Sequence, residues 1–174
     1  GDNAAQVTEH VLGARAMMRQ ALADARAKNP DDDIQIFAPP SIPCLRMTRR
    51  LVTEFSLGDR NRHEWFDDAI GFTGDWRYCG PVYSVPWRSL MGVRTKNLSA
   101  AGRCISADTT VWDVTRAIPG CALTGEACGT AAALAVQQTN GELHLLSVSV
   151  LQSRLKAQGV MLDPALAKET PPAA

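Results

Sequence analysis

The sequence has no excess of charge of either sign and no long apolar run. Its 18 Lys and Arg residues balance 18 Asp and Glu residues, so the formal net charge of the 174-residue chain is zero. Binders of nucleic acid or of anionic membrane surfaces usually carry a concentrated basic patch, so we predict no nucleic-acid partner. A membrane-spanning helix needs about 18 consecutive apolar residues, and the sequence contains no such run, so we predict no membrane partner.

Metal-binding spacings of cysteine and histidine are also lacking. The five cysteines form neither a Cys-x-x-Cys pair nor a Cys/His cluster, so we predict no metal site. Their odd count and wide spacing are typical of reduced thiols in the cytoplasm, where we expect the protein. The chain does not begin with Met, which leaves a preceding targeting segment open. A thiol-based redox protein using Cys104, Cys121 and Cys128 remains an alternative, and it requires thiols close enough to bridge.

A third absence is the Gly-x-Gly-x-x-Gly turn that holds the pyrophosphate of a dinucleotide between a strand and a helix. The composition itself is that of a globular protein, with 45% hydrophobic and 21% charged residues. We predict a single mixed α+β unit over 1–163. Residues 164–174 are rich in Ala and Pro, and we predict that they form a disordered tail.

Apolar periodicity predicts several elements. Helical spacing runs from Ala4 to Lys28 and stops at Asn29-Pro30, while strict alternation runs from Leu45 to Leu57. The remaining predictions are strands over 34–37 and 82–90, a short helix over 60–70 capped by Gly71, a loop over 111–116, a helix from about 119 that ends at Asn140-Gly141, and a last helix that begins at Ser147 or Ser149 and closes at Gly159.

The segment from Asn97 to Ala133 is the most informative part of the chain. Pro119 suits the first turn of a helix, and we expect Gly120, Cys121 and Ala122 to follow it with backbone amides that lack helical acceptors. Such amides, at the positive end of the helix dipole, favour a ligand group that carries negative charge.

Small residues recur on one face of this helix. Ala122, Gly125, Gly129 and Ala133 are three or four positions apart, which lets another backbone or a flat ring approach closely. Close packing against a sheet or a second helix is the alternative reading of the same stripe. The order of a short strand, a glycine turn, a loop and a helix favours a ligand crevice, as in open α/β folds.

These residues resemble a known family. The pattern over 97–107, Arg116, Pro119 and 121–133 is similar to the C-terminal flavin-binding segment of FAD-dependent oxidoreductases distantly related to fumarate reductase flavoproteins. Weaker likeness extends upstream through 84–90 and 45–57, and downstream through 151–159. Met47 stands where the family usually has a glutamate.

The resemblance implies the C-terminal half of an FAD/NAD(P)-binding-type flavoprotein, with a glycine- and alanine-rich helix facing the flavin and without the N-terminal Rossmann glycine motif. It implies FAD as cofactor and hydride transfer between a small-molecule substrate and the flavin, with Arg116 as the candidate catalytic residue. It places these residues at the cofactor: Ala101, Gly102, Arg103, Cys104, Ser106, Gly120, Cys121, Ala122, Leu123 and Gly129.

The missing glycine motif keeps a second reading open. The chain is then a non-catalytic fragment or an accessory subunit that binds FAD only together with an N-terminal FAD-binding half or a partner subunit. An exposed apolar face would favour this reading.

Overall fold

The computed structural model describes residues 1–40 and 42–168. The chain divides into two compact units, Gly1–Thr48 and Arg49–Ala174, and each is described by itself. The boundary lies inside the range 1–163, for which a single unit was predicted, and that single unit stays a prediction. Among the described residues, no helix combines the length and the apolar character that crossing a membrane requires.

The first unit consists of helix α1, Ala4–Lys28, followed by irregular chain. The predicted helix is confirmed at both ends. The Asn3 side chain accepts a hydrogen bond from the Gln6 amide at 3.2 Å and so caps the first turn. None of the residues of α1 is buried.

The predicted strand over 34–37 is wrong. The Ile34 amide donates to the Asp32 carbonyl at 3.0 Å, and the Ile34 carbonyl accepts from Arg26 Nε at 2.8 Å. A strand partner would need the backbone amide and carbonyl of Ile34. Both are already used, the amide in a local turn and the carbonyl by a side chain of α1.

Over residues 49–168, the second unit contains three α-helices and a two-stranded antiparallel sheet, which confirms a mixed α and β fold. Strand β1 is Ala69–Gly74 and strand β2 is Val82–Pro86, with Thr73 opposite Tyr83. The helices are α2, Thr109–Thr115, α3, Ile118–Gln138, and α4, Val148–Ala157. The largest core side chains without solvent exposure are those of Tyr83, Leu57, Ile70, Leu90, Ile105, Leu151 and Leu155.

The predicted long strand over 45–57 is wrong as a strand, although its alternation is visible. From 51 to 57 every second residue is covered while its neighbours are exposed, as expected for an extended chain with one face on a core. Only scattered backbone bonds hold the segment: Leu51 donates to the Cys104 carbonyl at 2.8 Å and Leu57 to the Ser106 carbonyl at 3.0 Å. These bonds are too few for a continuous ladder.

The predicted helix over 60–70 is also wrong. A 3₁₀ turn covers Asp59–Asn61, His63 has a left-handed φ of 57°, and β1 begins at Ala69. Gly71 therefore lies inside a strand and caps no helix. The predicted strand over 82–90 stops at Pro86, and Trp87–Ser89 form a 3₁₀ turn.

The helix predicted from about 119 is confirmed, with Pro119 in the first turn of α3 and left-handed Asn140 and Gly141 after its end. Ser147 is the N-cap position of α4, but its hydroxyl bonds Ser149 Oγ at 2.8 Å and makes no cap bond. Gly159, with φ 97°, follows that helix.

The predicted tail begins with a short regular element, and the tail itself stays a prediction. Pro164–Ala167 form a 3₁₀ turn in which Ala167 is buried. The remainder of that prediction, 169–174, lies outside the described residues.

We expect Gly71→Ala to destabilise the chain by about 1 to 3 kcal/mol, because Gly71 has φ +142° and an added Cβ would lie 2.5 Å from Leu123 Cδ1. Gly74→Ala in the same strand is the matched control. A Cβ there meets nothing closer than the Pro81 carbonyl oxygen at 4.0 Å, and its effect should stay below about 0.5 kcal/mol. Urea unfolding of both variants measures the difference, and equal losses would contradict the strained conformation of Gly71.

Candidate functional site

A glycine turn rests directly on the start of α3. Gly102 is buried with a left-handed φ of +63°, and it opens the 3₁₀ turn Gly102–Cys104. Its amide donates to Thr124 Oγ1 at 2.8 Å. A Cβ at this position would lie 3.2 Å from Cys121 Sγ, so only glycine allows so close an approach without displacing the thiol.

Thr124 joins the turn to the helix, and it was not among the residues predicted for the site. Its side chain is buried at 1% exposure, and its hydroxyl donates to the Gly120 carbonyl at 2.7 Å while accepting from Gly102. The sequence did offer one sign of this role. Thr124 is a hydroxyl residue among the small residues at the start of α3, and a polar group that is buried there needs a hydrogen-bond partner.

Trp112 holds the other side of the turn and was also missed as a site residue. Its indole Nε1 donates to the Arg103 carbonyl at 2.7 Å. Trp112 lies on α2. The loop predicted over 111–116 is therefore wrong, since residues 109–115 form a helix. The turn is therefore fixed by side chains from two helices.

The free amides at the start of α3 differ from the prediction. Since α3 begins at Ile118, the Cys121 amide already donates to the Ala117 carbonyl at 2.9 Å, and Ala122 lies within the helical ladder. Pro119 has no N–H, so the amides of Ile118 and Gly120 are the ones that the ladder leaves without an acceptor. The prediction of free amides at Cys121 and Ala122 is therefore wrong, because α3 begins at Ile118 and not at about 119.

The small-residue stripe of α3 is exposed. Ala122, Gly125, Gly129 and Ala133 all face solvent, and a Cβ added at Gly125 or Gly129 would meet no atom within 4 Å. The opposite face packs into the core through Ala127, Ala131 and Leu134. Among the described residues, the stripe is therefore not covered by the close packing that was the alternative reading.

Arg116 forms an ion pair with Asp113. Its Nε donates to Asp113 Oδ1 at 2.8 Å, and a second guanidinium nitrogen bonds the same oxygen. Trp76 lies beside this pair, since its Nε1 donates to the Asp113 carbonyl at 3.1 Å. A role of Arg116 toward substrate stays a prediction.

The other predicted cofactor residues are only partly brought together. Arg103 and Cys104 are exposed in the glycine turn, and Ala101 precedes it. Ser106 is buried, and its backbone is bonded to Ser89 and Leu57. Leu123 faces β1, where it lies against Gly71, and does not share the exposed stripe.

The cysteines of the described residues are free thiols. Cys121 Sγ contacts the Arg116 carbonyl oxygen at 3.2 Å, and Cys128 Sγ contacts the Ala100 carbonyl oxygen at 3.6 Å. Burial raises the pKa of the Cys128 thiol above its usual value, which disfavours the nucleophilic thiolate. The thiol-based alternative gains no support from these environments.

The family model described as FAD dependent oxidoreductase matches residues 67–155, which is just over half of the chain. The chain belongs to the FAD dependent oxidoreductase family. The match includes the glycine turn, α2, α3 and most of α4. Membership implies FAD as cofactor, a flavin-related oxidoreductase function and a small-molecule substrate. No curated protein and no solved structure matches the chain.

The residues present fit the ring portion of FAD. Gly125 and Gly129 leave room for a flat group on the helix surface, and the amides of Ile118 and Gly120 lie at the positive end of the helix. The sequence offers no glycine motif for the pyrophosphate. The fit therefore concerns one part of the cofactor.

We expect Thr124→Val to release the Gly102 amide and to speed its hydrogen exchange by at least about tenfold, because the hydroxyl is its acceptor. Thr124→Ser keeps the hydroxyl and is the matched control. Residue-resolved hydrogen exchange compares the two, with the amides of α4 as internal reference. Unchanged exchange at Gly102 in Thr124→Val would show that this bond does not hold the turn.

Proposed function

We propose that the chain contributes the isoalloxazine side of an FAD site that transfers hydride between a small organic substrate and the flavin, as in flavoproteins related to fumarate reductase. Two observations on the same helix carry the proposal: the hydrogen-bonded contact of the Gly102 turn with the buried side of α3, and the exposed stripe of small residues on its outer side. This arrangement supports a flat ligand that lies along α3.

The residues of the chain have distinct parts in the proposal. When bound, the flavin supplies the hydride acceptor at N5, and the protein supplies orientation and electrostatics. The amide of the exposed Ile118, at the positive end of α3, stabilises negative charge on the reduced ring. Arg103, exposed in the turn that the buried Gly102 opens, is the residue able to approach the ribityl or pyrophosphate portion.

Arg116 is the proposed substrate-orienting residue. A guanidinium presents a fixed fork of donors to an anionic group. In the structure Asp113 holds part of this fork and thereby fixes the position of Arg116 beside the start of α3. Substrate binding then uses the donors that Asp113 does not engage.

A second candidate function is that of a fragment or accessory subunit that needs a partner chain to bind FAD. Two observations favour it: the stripe on α3 is exposed, and large apolar side chains at both ends of the helix are exposed as well, with Ile118 at 86% and Val136 at 72%. Such surface is usually covered by another protein surface or by a ligand.

The first experiment is a visible-absorption titration of FAD with the full chain, alone and mixed with an N-terminal FAD-binding half. Because the chain lacks the pyrophosphate motif, we expect tight binding only in the mixture. Saturable binding by the chain alone would contradict the need for a partner. Binding in neither sample would contradict the flavin site itself.

We expect Gly129→Leu to lower FAD affinity in the binding-competent sample by at least about tenfold, because a leucine fills the surface along which the ring is proposed to lie. The same change should leave α3 intact or stabilise it by up to about 1 kcal/mol, since leucine favours helix over glycine.

Ala157→Leu, at an exposed position of α4, is the matched control and should leave affinity unchanged. Thermal unfolding of each variant separates folding from binding. Wild-type affinity in Gly129→Leu would remove the stripe from the cofactor site.

A further inference from the structure

The second unit contains an arginine-lined cleft that the flavin proposal does not use. The cleft has a volume of about 320 Å³ and is lined by Arg50, Arg94, Thr95 and the apolar side chains of Leu51, Val52 and Leu98. This volume lies at the lower end of the range for small-molecule sites, about 300 to 1,000 Å³. We name it the arginine cleft.

Backbone hydrogen bonds build the walls of the arginine cleft. The hairpin over 92–98 is closed by the Gly92 amide, which donates to the Leu98 carbonyl at 3.0 Å. The Val93 amide crosses to the Val52 carbonyl at 3.2 Å, and the Leu51 amide crosses to the Cys104 carbonyl at 2.8 Å. These bonds join the hairpin, the 51–52 segment and the turn at Cys104 side by side. Arg50 and Arg94, which are distant in sequence, are thereby held at the same cleft.

Gly92 explains how the hairpin can close so tightly. A Cβ on Gly92 would lie 3.1 Å from the Thr95 carbonyl oxygen and 3.6 Å from Leu51 Cδ1. A side chain here would press on the Thr95 carbonyl within the hairpin, whereas its distance to Leu51 is that of ordinary van der Waals contact. The close approach inside the hairpin therefore favours glycine at this position.

The positive charge in the arginine cleft is not neutralised. Arg50 donates to two neutral acceptors, the Ala107 carbonyl and the Ser56 hydroxyl at 3.1 Å, which fix its side chain without cancelling its charge. Within residues 1–40 and 42–168, neither Arg50 nor Arg94 has a carboxylate within ion-pair distance, and no acidic residue lines the cleft.

We propose that the arginine cleft binds a small organic anion, with an oxyanion group between Arg50 and Arg94 and an apolar body against Leu51, Val52 and Leu98. Guanidinium groups recognise carboxylate and phosphate oxygens through paired hydrogen bonds. The Thr95 side chain lines the same cleft and offers a further hydroxyl donor. The zero net charge of the chain disfavours a polyanion such as nucleic acid.

The arginine cleft is hydrogen-bonded to a turn that also belongs to the proposed flavin site. Cys104, whose carbonyl accepts from Leu51, belongs to the Gly102–Cys104 turn that contacts α3. The anion site itself requires no flavin, and its test uses the chain without FAD.

The test is an NMR titration of the full chain with benzoate and with phenyl phosphate, and with benzyl alcohol as the uncharged control ligand. We expect saturable shifts of the Gly92, Thr95 and Leu98 amides with at least one of the two anions at concentrations up to about 10 mM, and none with benzyl alcohol. A site that prefers one anion identifies the oxyanion as carboxylate or phosphate.

Arg94→Gln should weaken anion binding by at least about tenfold, because it removes a charged donor from the cleft. Arg94 is exposed, and its side chain makes no hydrogen bond within residues 1–40 and 42–168, so the variant should fold, which its melting temperature verifies. Arg60→Gln, at an exposed arginine of the Asp59–Asn61 turn, controls for net charge and should bind as the wild type does.

Arg50→Lys provides a second variant that keeps the charge and loses the planar fork. We expect an intermediate loss of affinity. The proposal is overturned if neither anion gives saturable shifts at the cleft, if benzyl alcohol binds equally well, or if Arg94→Gln binds as tightly as Arg60→Gln.

Discussion

The hydrogen bond from the Gly102 amide to Thr124 Oγ1 is the contact on which the rest of the candidate site depends. It joins a turn and a helix that are 22 positions apart in the sequence, and it is buried from solvent. Because a buried amide without an acceptor is costly, the left-handed glycine and the helix hydroxyl require each other. The same turn presents two carbonyl groups as acceptors. The Arg103 carbonyl accepts from Trp112 of α2, and the Cys104 carbonyl accepts from Leu51 of the extended 51–57 segment, so both elements are positioned through this turn.

The sequence predicted long periodic helices well and short elements poorly. Residues 4–28 repeat an apolar pattern over many turns, and the ends of α1 carry a cap and a proline, so local information suffices. Residues 60–70 have an apolar spacing that fits a short helix, yet pairing with β2 places 69–74 in a strand. Such pairing depends on residues distant in sequence, which periodicity within one segment does not report.

The candidate site shows the same division. The glycine turn, the start of α3 near Pro119 and the stripe of small residues are readable locally, because each follows from backbone requirements of Gly, Pro and Ala. Thr124 and Trp112 were missed because their function is to bond backbone groups brought close only by folding. The resemblance singled out Arg116, and its role toward a substrate stays a prediction. Its ion pair with Asp113, three residues away, is consistent with a spacing that places both on neighbouring helical positions.

Helix α1 has a consequence for how the chain behaves in solution. It has no buried residue, so its helical state rests on local bonds and on contacts at half-covered side chains. Local opening of such a segment costs far less free energy than global unfolding. Proteases that cut after arginine would therefore reach Arg15 and Arg19 through frequent local opening, while the core around Tyr83 and Leu151 stays closed. The first unit and the second unit should thus disappear from a digest at very different rates.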